Sequence, residues 1–290
     1  MSPTEPVFAC VYAPSGFGKT VDVGYAFPNA VYYAKKGATK SIVSVCGYEP
    51  AVLPHTTLDE VTKQMPLIAK SGKYDAIVVD EFDFLAEDTM SSLEKKFTGF
   101  KLFGALRQSV LNFRNTAREC GLHVVLTALE RGPKLRDDGT KVRGGPALTG
   151  DLPEKVPAMC DLVLRGSRDP LRKPWPGIYR VDVNSADWIS KDRDNSTPDP
   201  APMNLGEILR FHYPISRHKS VPQQEAIVEQ IATTLLSGTP QDDPKIVTES
   251  YKALLSGGML PTFARWTVRD AWDRALLRRA KAVREANFFS

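Results

Sequence analysis

The sequence of 290 residues predicts an α/β fold with a mainly parallel sheet, followed by a C-terminal helical extension. Two observations predict the core: short apolar runs typical of buried strands alternate with helical patterns from residue 7 to residue 128, and a glycine-rich turn follows the first run. The extension is predicted because only helical patterns follow the proline-rich stretch at 195–202. We therefore expect a core at 1–202 and an extension at 203–290.

Composition restricts the class of protein. The sequence is 42% hydrophobic and 25% charged, which is typical of soluble globular proteins. No apolar run reaches the length of a membrane span, and Met1–Pro6 lacks the features of a secretory signal. The four cysteines are far apart and match no metal-binding spacing, so we expect reduced thiols and a cytoplasmic location. A net charge of +4 is too small to identify a nucleic-acid partner.

The elements follow in order. Strands are predicted at Val7–Tyr12, Ala30–Ala34, Ser41–Val45, Tyr74–Asp80 and His123–Ala128, with a further antiparallel pair at Cys160–Arg165 and Gly177–Val183. Helices are predicted at Thr57–Ser71 with an interruption at Pro66, across Ser91–Cys120, and at Val221–Ser237, Asp243–Ser256 and Thr262–Glu285. The glycine-rich, basic stretch from Arg131 to Gly150 is expected to be a mobile loop.

The turn after the first strand matches the phosphate-binding pattern G-x-x-x-x-G-K-[ST], with Ala13 in place of the first glycine. Glycines let backbone N–H groups surround phosphate oxygens. Lys19 is expected to contact the β- and γ-phosphates, and the Thr20 hydroxyl to contact Mg²⁺. The alternative is a glycine-rich turn that binds nothing. The predicted nucleotide-binding residues are Ala13, Pro14, Ser15, Gly16, Phe17, Gly18, Lys19, Thr20 and Val21.

A second motif, Ile77-Val-Val-Asp80-Glu81, ends a strand in two acids. In a parallel sheet Asp80 would lie beside the phosphate-binding loop and hold Mg²⁺ through water, while Glu81 would polarise the attacking water. An ordinary exposed acid is the alternative for Glu81. Asp83 is expected to cap a helix or to be solvated. Thr127, at the end of the next strand, either senses the γ-phosphate or only bonds its neighbours within the sheet.

The two motifs described above are followed along the chain by three more short segments. The full order is Pro14–Thr20, Val78–Asp80, Val125–Glu130, Gly150–Pro153 with Asp161–Arg165, and Ser190–Arg193. Over roughly residues 7–197 the chain resembles the short, phage-encoded RecA-like ATPases of the Sak type, which act in recombination. The resemblance implies a RecA core, ATP with Mg²⁺, homo-oligomers with nucleotide between subunits, and work on single-stranded DNA.

The same resemblance draws attention to two basic residues in the segment Ser190–Arg193. Lys191 and Arg193 lie two positions apart, so on a strand both would project from one face and reach the γ-phosphate of a neighbouring subunit. The alternative is a solvated turn of mixed charge.

The chain departs from the family at the end of the second strand, where a glutamate usually activates water and where this sequence has Lys35-Lys36-Gly37. Lysines are protonated at neutral pH and are therefore poor bases. Either Glu81 takes that role, or hydrolysis is slow or absent and the pocket acts as a nucleotide-gated assembly switch.

DNA-contact candidates are the basic segment 131–143 and residues 261–290, which contain seven basic and three acidic residues. A solvated helical face is the alternative for the second segment. Trp175 is a candidate for base stacking, with a role in the core or in an oligomer interface as the favoured alternative. Three functions stay open: a DNA-dependent ATPase, an assembly or remodelling ATPase acting on protein, and a nucleotide-binding protein without turnover.

Overall fold

The computed structural model describes residues 6–167, 177–182, 184–193, 197, 199–209, 221–239 and 243–256, together with 267–268, 271–272, 274–276, 278–279 and 282. Its strands are β1 Phe8–Ala13, β2 Ala30–Ala34, β3 Ala51–Pro54, β4 Ala76–Val79, β5 His123–Arg131, β6 Lys134–Leu135, β7 Lys141–Val142, β8 Gly145–Pro146, β9 Leu162–Ser167, β10 Ile178–Arg180, β11 Lys191–Asp192 and β12 Ala201–Pro202. Its helices are α1 Lys19–Ala26, α2 Leu58–Ser71, α3 Phe82–Glu94, α4 Phe100–Glu119, α5 Leu152–Met159, α6 Leu205–Ile208, α7 Val221–Ser237 and α8 Asp243–Ser256, and a π-helix spans Ile42–Cys46.

Six strands form a parallel sheet in the order β9-β1-β5-β4-β2-β3. β10 and β11 pair antiparallel with β9, and β12 pairs antiparallel with β10. The predicted α/β fold class with a mainly parallel sheet and additional C-terminal helices is confirmed, as is the antiparallel pairing of β9 and β10. Because parallel strands end at one edge, the segments after β1 and β4 and the end of β5 meet there.

Side chains of the strands alternate between two apolar layers, as the period of two in a strand requires. In β1, Ala9 and Val11 face the layer that contains α1, the π-helix and α6. Phe8, Cys10 and Tyr12 face the layer that contains α2 to α5. The glycine-rich turn after β1 therefore sits on a sheet covered on both faces.

Several local predictions are corrected. Ser41–Val45 is not a strand: Ile42 and Cys46, four residues apart, pack together against Gly24 of α1, so helical spacing decides the conformation. The helix predicted across Ser91–Cys120 is two helices, broken after α3 and restarted at α4. Pro66 does not interrupt α2.

The segment 131–150 is also structured. β6 and β7 form a short hairpin, and β8 pairs with the end of β5 at Glu130 and Arg131. The expected mobile loop is therefore a hairpin on a strand extension.

The C-terminal residues have an apolar cluster of their own, which joins α7 to residues of the last segment: Val228, Ile231, Ala232, Leu235, Val268, Ala271 and Ala275. Met203, Leu205 and Leu209 instead pack with the nucleotide-binding core. The boundary between core and extension at residue 202 stays a prediction. The three residues just beyond that boundary pack with the core rather than with the C-terminal cluster. Among the helices that the structure describes, none is long and apolar enough to cross a membrane.

Candidate nucleotide-binding site

The loop between β1 and α1 has the backbone that phosphate binding requires. Gly16 and Gly18 have φ angles of 71° and 102°, in the left-handed region that glycine adopts without a steric cost. Gly18 immediately precedes α1, whose first-turn N–H groups and positive dipole end favour an anion. Pro14, Ser15 and Gly16 are exposed, so the loop is open to a ligand.

Lys19 lies across this loop. Its Nζ donates hydrogen bonds to the carbonyl oxygens of Ala13 at 2.9 Å and Pro14 at 3.1 Å. Burial lowers the pKa of Lys19, while the nearby carboxylates of Asp80, Asp83 and Glu81 oppose that shift. An ammonium that is hydrogen-bonded to neutral carbonyls is suited to exchange them for phosphate oxygens, which are stronger acceptors.

Phe17 anchors the centre of the loop to the sheet. Its side chain is buried, and its ring lies 6.4 Å from that of Tyr179 on β10. Gly166 on β9 and Gly177 leave room for it, since a Cβ would lie 2.4 Å from the ring at Gly166 and 2.5 Å at Gly177. Sequence reasoning missed both glycines, because nothing local to them shows that a loop residue approaches.

The acidic and hydroxyl groups meet in a hydrogen-bonded chain at the same edge of the sheet. Thr20 Oγ1 lies 3.0 and 3.1 Å from the two carboxylate oxygens of Asp80. Thr127 Oγ1 donates to Asp80 Oδ1 at 2.6 Å and accepts a hydrogen bond from the Glu81 N–H at 2.9 Å. These residues come from three segments of the chain, which the structure brings together: Thr20 from α1, Asp80 with Glu81 from the end of β4, and Thr127 from β5.

Asp80 is nearly inaccessible, and burial raises its pKa although the hydroxyls of Thr127 and Thr20 oppose the shift. A bound dication would favour the charged carboxylate. Among the described residues no group of three or more histidine, cysteine or acidic side chains is arranged to hold a metal. One carboxylate with one hydroxyl nevertheless fits Mg²⁺, which keeps several waters and shares phosphate oxygens. Thr20 and Asp80 are therefore the residues that would hold it.

Glu81 has an unusual backbone. Its φ and ψ are 57° and 55°, and within the described residues it is the only non-glycine residue with a positive φ. It immediately precedes α3, and its side chain is half-buried. Thr127 is fully buried and bonds its neighbours, as one interpretation expected, and contact with a γ-phosphate stays a prediction.

Two further acids near the site, Asp83 and Glu130, contact residues outside the Thr20–Asp80–Thr127 group. Asp83 is buried rather than solvated: it accepts a hydrogen bond from the Leu129 N–H at 3.4 Å, and burial raises its pKa to about 6. Glu130 forms a 2.8 Å ion pair with Arg165, whose guanidinium stacks 3.3 Å from the Trp188 ring. These contacts fix the end of β5 to β9.

Lys35 immediately follows β2, at the position where the resemblance led us to expect an acid. Its Nζ lies 3.8 Å from a carboxylate oxygen of Asp88 and 4.3 Å from the centre of the Phe84 ring, both on α3. The side chain is thus directed to α3. Of the residues considered for water activation, Glu81 directly follows Asp80, and its backbone N–H contacts the Thr127 hydroxyl of the Thr20–Asp80–Thr127 group.

Lys191 and Arg193 are not part of this assembly. Lys191 pairs with Val163 near the start of β9 and donates through Nζ to the carbonyls of Ala158 and Cys160 at 2.9 and 2.6 Å. Arg193 is half exposed and pairs with Asp161 at 2.8 Å. Because β1 and β9 are parallel, the start of β9 lies at the edge of the sheet opposite to the chain's own loop. The predicted contact of Lys191 and Arg193 with a γ-phosphate therefore requires a nucleotide bound by another subunit.

The DNA-contact candidates differ in how they are placed. In the segment 131–143, Lys134, Arg136 and Lys141 are exposed around the β6–β7 hairpin, although Lys141 also pairs with Asp187. Trp175 lies outside the described residues, as does much of 261–290. Some cations of that last segment are used internally: Arg274 and Arg278 pair with Glu229, and Arg279 pairs with Asp243.

A buried acid on α1 was also missed. Asp22 Oδ2 accepts hydrogen bonds from Tyr179 Oη at 2.5 Å and from the Leu205 N–H at 3.1 Å, joining α1 to β10 and α6. Burial raises its pKa to about 6. The available signal was one acid within the otherwise apolar and small segment Val21–Ala26.

Comparison with known proteins identifies the domain. The model of a family described as AAA domain matches residues 5–193. A search of the curated proteins found no match. Among solved structures, the chain is similar to a KaiC-like protein from the hyperthermophilic archaeon Pyrococcus horikoshii OT3, with a TM-score of 0.40 and 12% identity over 61% of this chain and 78% of that one. It is also similar to the RadB recombinase, with a TM-score of 0.39 and 16% identity over 61% of this chain and 81% of that one.

Proposed function

The chain belongs to the AAA domain family, and we propose that it hydrolyses ATP with Mg²⁺ as an oligomer that acts on single-stranded DNA in recombination or replication, as phage-encoded ATPases of the Sak type do. One observation carries the catalytic part of the proposal. The Thr20–Asp80–Thr127–Glu81 chain of hydrogen bonds lies at the sheet edge that also carries Lys19 and the phosphate-binding loop.

Each residue then has a defined task. The loop N–H groups and Lys19 bind and orient the phosphates, as electrostatic preorganisation requires. Thr20 and Asp80 hold Mg²⁺, which when bound would neutralise charge on the phosphate oxygens. Glu81 orients the attacking water and accepts its proton. Thr127 holds the Glu81 backbone and the Asp80 carboxylate in one fixed arrangement.

The position of Lys191 and Arg193 supports an oligomer. Both lie at the sheet edge opposite the chain's own loop, so their proposed contact with a γ-phosphate needs a second copy. An arginine supplied by a neighbouring subunit stabilises charge in the transition state of phosphoryl transfer. The exposed cations of the β6–β7 hairpin support an anionic polymer as the substrate.

The test is ATP hydrolysis measured with and without single-stranded DNA. Wild-type protein is expected to turn over faster with DNA. Lys19→Ala should lose nucleotide binding, and Glu81→Gln should bind ATP but lose turnover. Lys36→Ala and Glu87→Gln are matched controls, since both residues are exposed and neither contacts the site residues. Unchanged turnover in Glu81→Gln would show that Glu81 is not the base.

A second candidate function, a nucleotide-gated oligomer with little turnover, is favoured by the direction of Lys35 toward Asp88 and Phe84. The second strand is followed by Lys35 and Lys36 rather than by the acid that the resemblance implies. Tight ATP binding with no phosphate release would support this alternative. Turnover that DNA does not change would instead support an ATPase that acts on protein during assembly or remodelling.

A further inference from the structure

Three basic side chains surround one carboxylate where α5 ends and β9 begins. Arg118 lies in the last turn of α4, Lys191 lies on β11, and Arg193 immediately follows that strand. The carboxylate belongs to Asp161, which immediately precedes β9. Burial lowers the pKa of Lys191, and the nearby charges of Arg193 and Arg118 contribute in the same direction, so the three cations are close to one another. Three positive charges against one negative charge suit this edge of the sheet to a further anion.

The Asp161 carboxylate is bound by three donors. Its Oδ2 accepts a hydrogen bond from the Phe8 N–H at 3.1 Å. Its Oδ1 lies 3.0 Å from Arg118 Nη2 and 2.8 Å from Arg193 Nη1, so two guanidinium groups share one oxygen. The Asp161 side chain is 19% exposed, and a charge that is largely buried is costly to leave unpaired. Because Phe8 and Arg118 bind the carboxylate independently, the departure of Arg193 would not leave it unpaired.

The two arginines are held unequally. Arg118 also donates to the Met159 carbonyl at 2.6 Å, and its side chain is 29% exposed. The Arg193 side chain is 50% exposed, and Asp161 is its one ion-pair partner among the described residues. The Arg193 backbone is nevertheless fixed, because its N–H donates to the Asp161 carbonyl at 2.9 Å. Arg193 is therefore the arginine whose guanidinium can change partner while its backbone stays in place.

We propose that Asp161 is a positioning residue, which holds Arg193 in the free subunit and releases it to the γ-phosphate bound by a neighbouring copy, while Arg118 keeps the carboxylate paired. This inference rests on the proposed function, since it specifies how the contact of Arg193 with a neighbour is made. A phosphate can bind an arginine through two parallel hydrogen bonds, whereas Asp161 offers Arg193 one oxygen that Arg118 shares. The exchange of partner therefore couples assembly of subunits to bound nucleotide.

Removing the charge of Arg118 and removing the charge of Asp161 should have opposite effects. In Arg118→Gln the amide can still donate to Met159, but the carboxylate has lost its second cation. Asp161 should then hold Arg193 more firmly. In Asp161→Asn the amide oxygen can still accept from Phe8, and Arg193 is free from the start. An exposed ion pair changes an equilibrium by up to about 5-fold, so half-maximal turnover should need about 5-fold more protein in Arg118→Gln and less protein than the wild type in Asp161→Asn.

The experiment measures ATP hydrolysis over a series of protein concentrations. Arg118→Gln/Asp161→Asn should return to the wild-type dependence or below it, because Arg193 no longer has a carboxylate to leave. Arg114→Ala is the matched control: it removes an arginine one turn earlier on α4, whose guanidinium donates to Asn115, and should leave the dependence unchanged. Affinity for a fluorescent ATP analogue at low protein concentration should be the same in every variant, because the phosphate-binding loop lies at the opposite edge of the sheet.

The inference is overturned if Arg118→Gln has the concentration dependence of the wild type. It is also overturned if Asp161→Asn needs as much protein as the wild type or more, which is the result that a purely structural role of the carboxylate requires. In both cases the proposed function stands as long as Arg193→Ala loses turnover. Full turnover in Arg193→Ala, or none in the wild type, removes the contact with the neighbouring nucleotide, so that this part of the proposed function and the inference fail together.

Discussion

Replacing Gly166 by alanine should disable the phosphate-binding loop from outside it. The added Cβ would lie 2.4 Å from a ring carbon of Phe17 and 2.7 Å from the Ala13 Cβ. Carbon atoms normally approach to about 3.5–4.0 Å, so either β9 or the loop must move by roughly 1 Å. Phe17 belongs to the loop and Ala13 is the last residue of β1, from which the loop departs, so we expect the loop to be the element that is displaced.

The size of the expected loss in nucleotide affinity follows from the energy of overpacking. Overfilling a packed interior costs about 1–3 kcal/mol. If the loop relieves that strain by leaving its binding conformation, nucleotide affinity falls by about 10-fold for each 1.4 kcal/mol. A misplacement of about 1 Å also lowers catalytic rates by about 100-fold, because orientation is lost. We therefore expect nucleotide affinity about 10-fold lower or worse, and a larger loss in turnover.

The assay is titration with a fluorescent ATP analogue, alongside chemical unfolding. Gly166→Ala/Phe17→Leu should recover part of the affinity, because leucine removes the contact with the ring while the 2.7 Å contact with the Ala13 Cβ remains. Gly104→Ala is the control: Gly104 is helical with nothing within 4 Å of its added Cβ, so it should gain about 0.5–1 kcal/mol of stability and bind nucleotide normally. Wild-type affinity in Gly166→Ala would refute the claim that Phe17 supports the loop.

Three further predictions follow. Thr127→Val should lower the free energy of unfolding by about 1–3 kcal/mol and reduce turnover, because it removes two buried hydrogen bonds, whereas Thr127→Ser should retain both properties in urea unfolding and ATPase assays. Burial raises the pKa of Asp22 from 3.8 to about 6, so the folded protein holds this proton more tightly than the unfolded chain does. The free energy of unfolding should therefore fall as the pH rises from about 4 to about 6. In Asp22→Asn its dependence on pH should be flatter, and the same dependence in the variant and the wild type would contradict this. Arg193→Ala should lower the free energy of unfolding by less than about 1 kcal/mol, because the Arg193 side chain that pairs with Asp161 is half exposed. The same variant should lose ATP turnover in the oligomer. Full ATPase activity would exclude a role for Arg193 in a neighbouring site.

The parts of the site that could be predicted from sequence are those fixed by local chain direction. Lys19, Thr20 and Asp80 each follow an apolar strand, and parallel strands bring such residues to one edge. The hydrogen bond between Thr20 and Asp80 therefore follows from motif and strand pattern alone. The roles assigned to them in catalysis stay predictions.

The parts that could not be predicted depend on contacts between distant segments. The burial of Phe17 against Gly166 and Gly177 joins residues about 150 positions apart, and no local pattern encodes it. The π-helix at Ile42–Cys46 was mistaken for a strand because a short apolar run does not distinguish the two periods, and only packing against Gly24 does.

The left-handed backbone of Glu81 has a consequence for how this position tolerates change. An L-residue other than glycine or asparagine holds that conformation at a cost of roughly 1–2 kcal/mol, which the surrounding hydrogen bonds must sustain. A glycine there would relax the chain and remove the carboxylate at once. If Glu81 is the proposed base, selection for thermal stability would favour glycine at position 81, whereas selection for turnover would favour an acid.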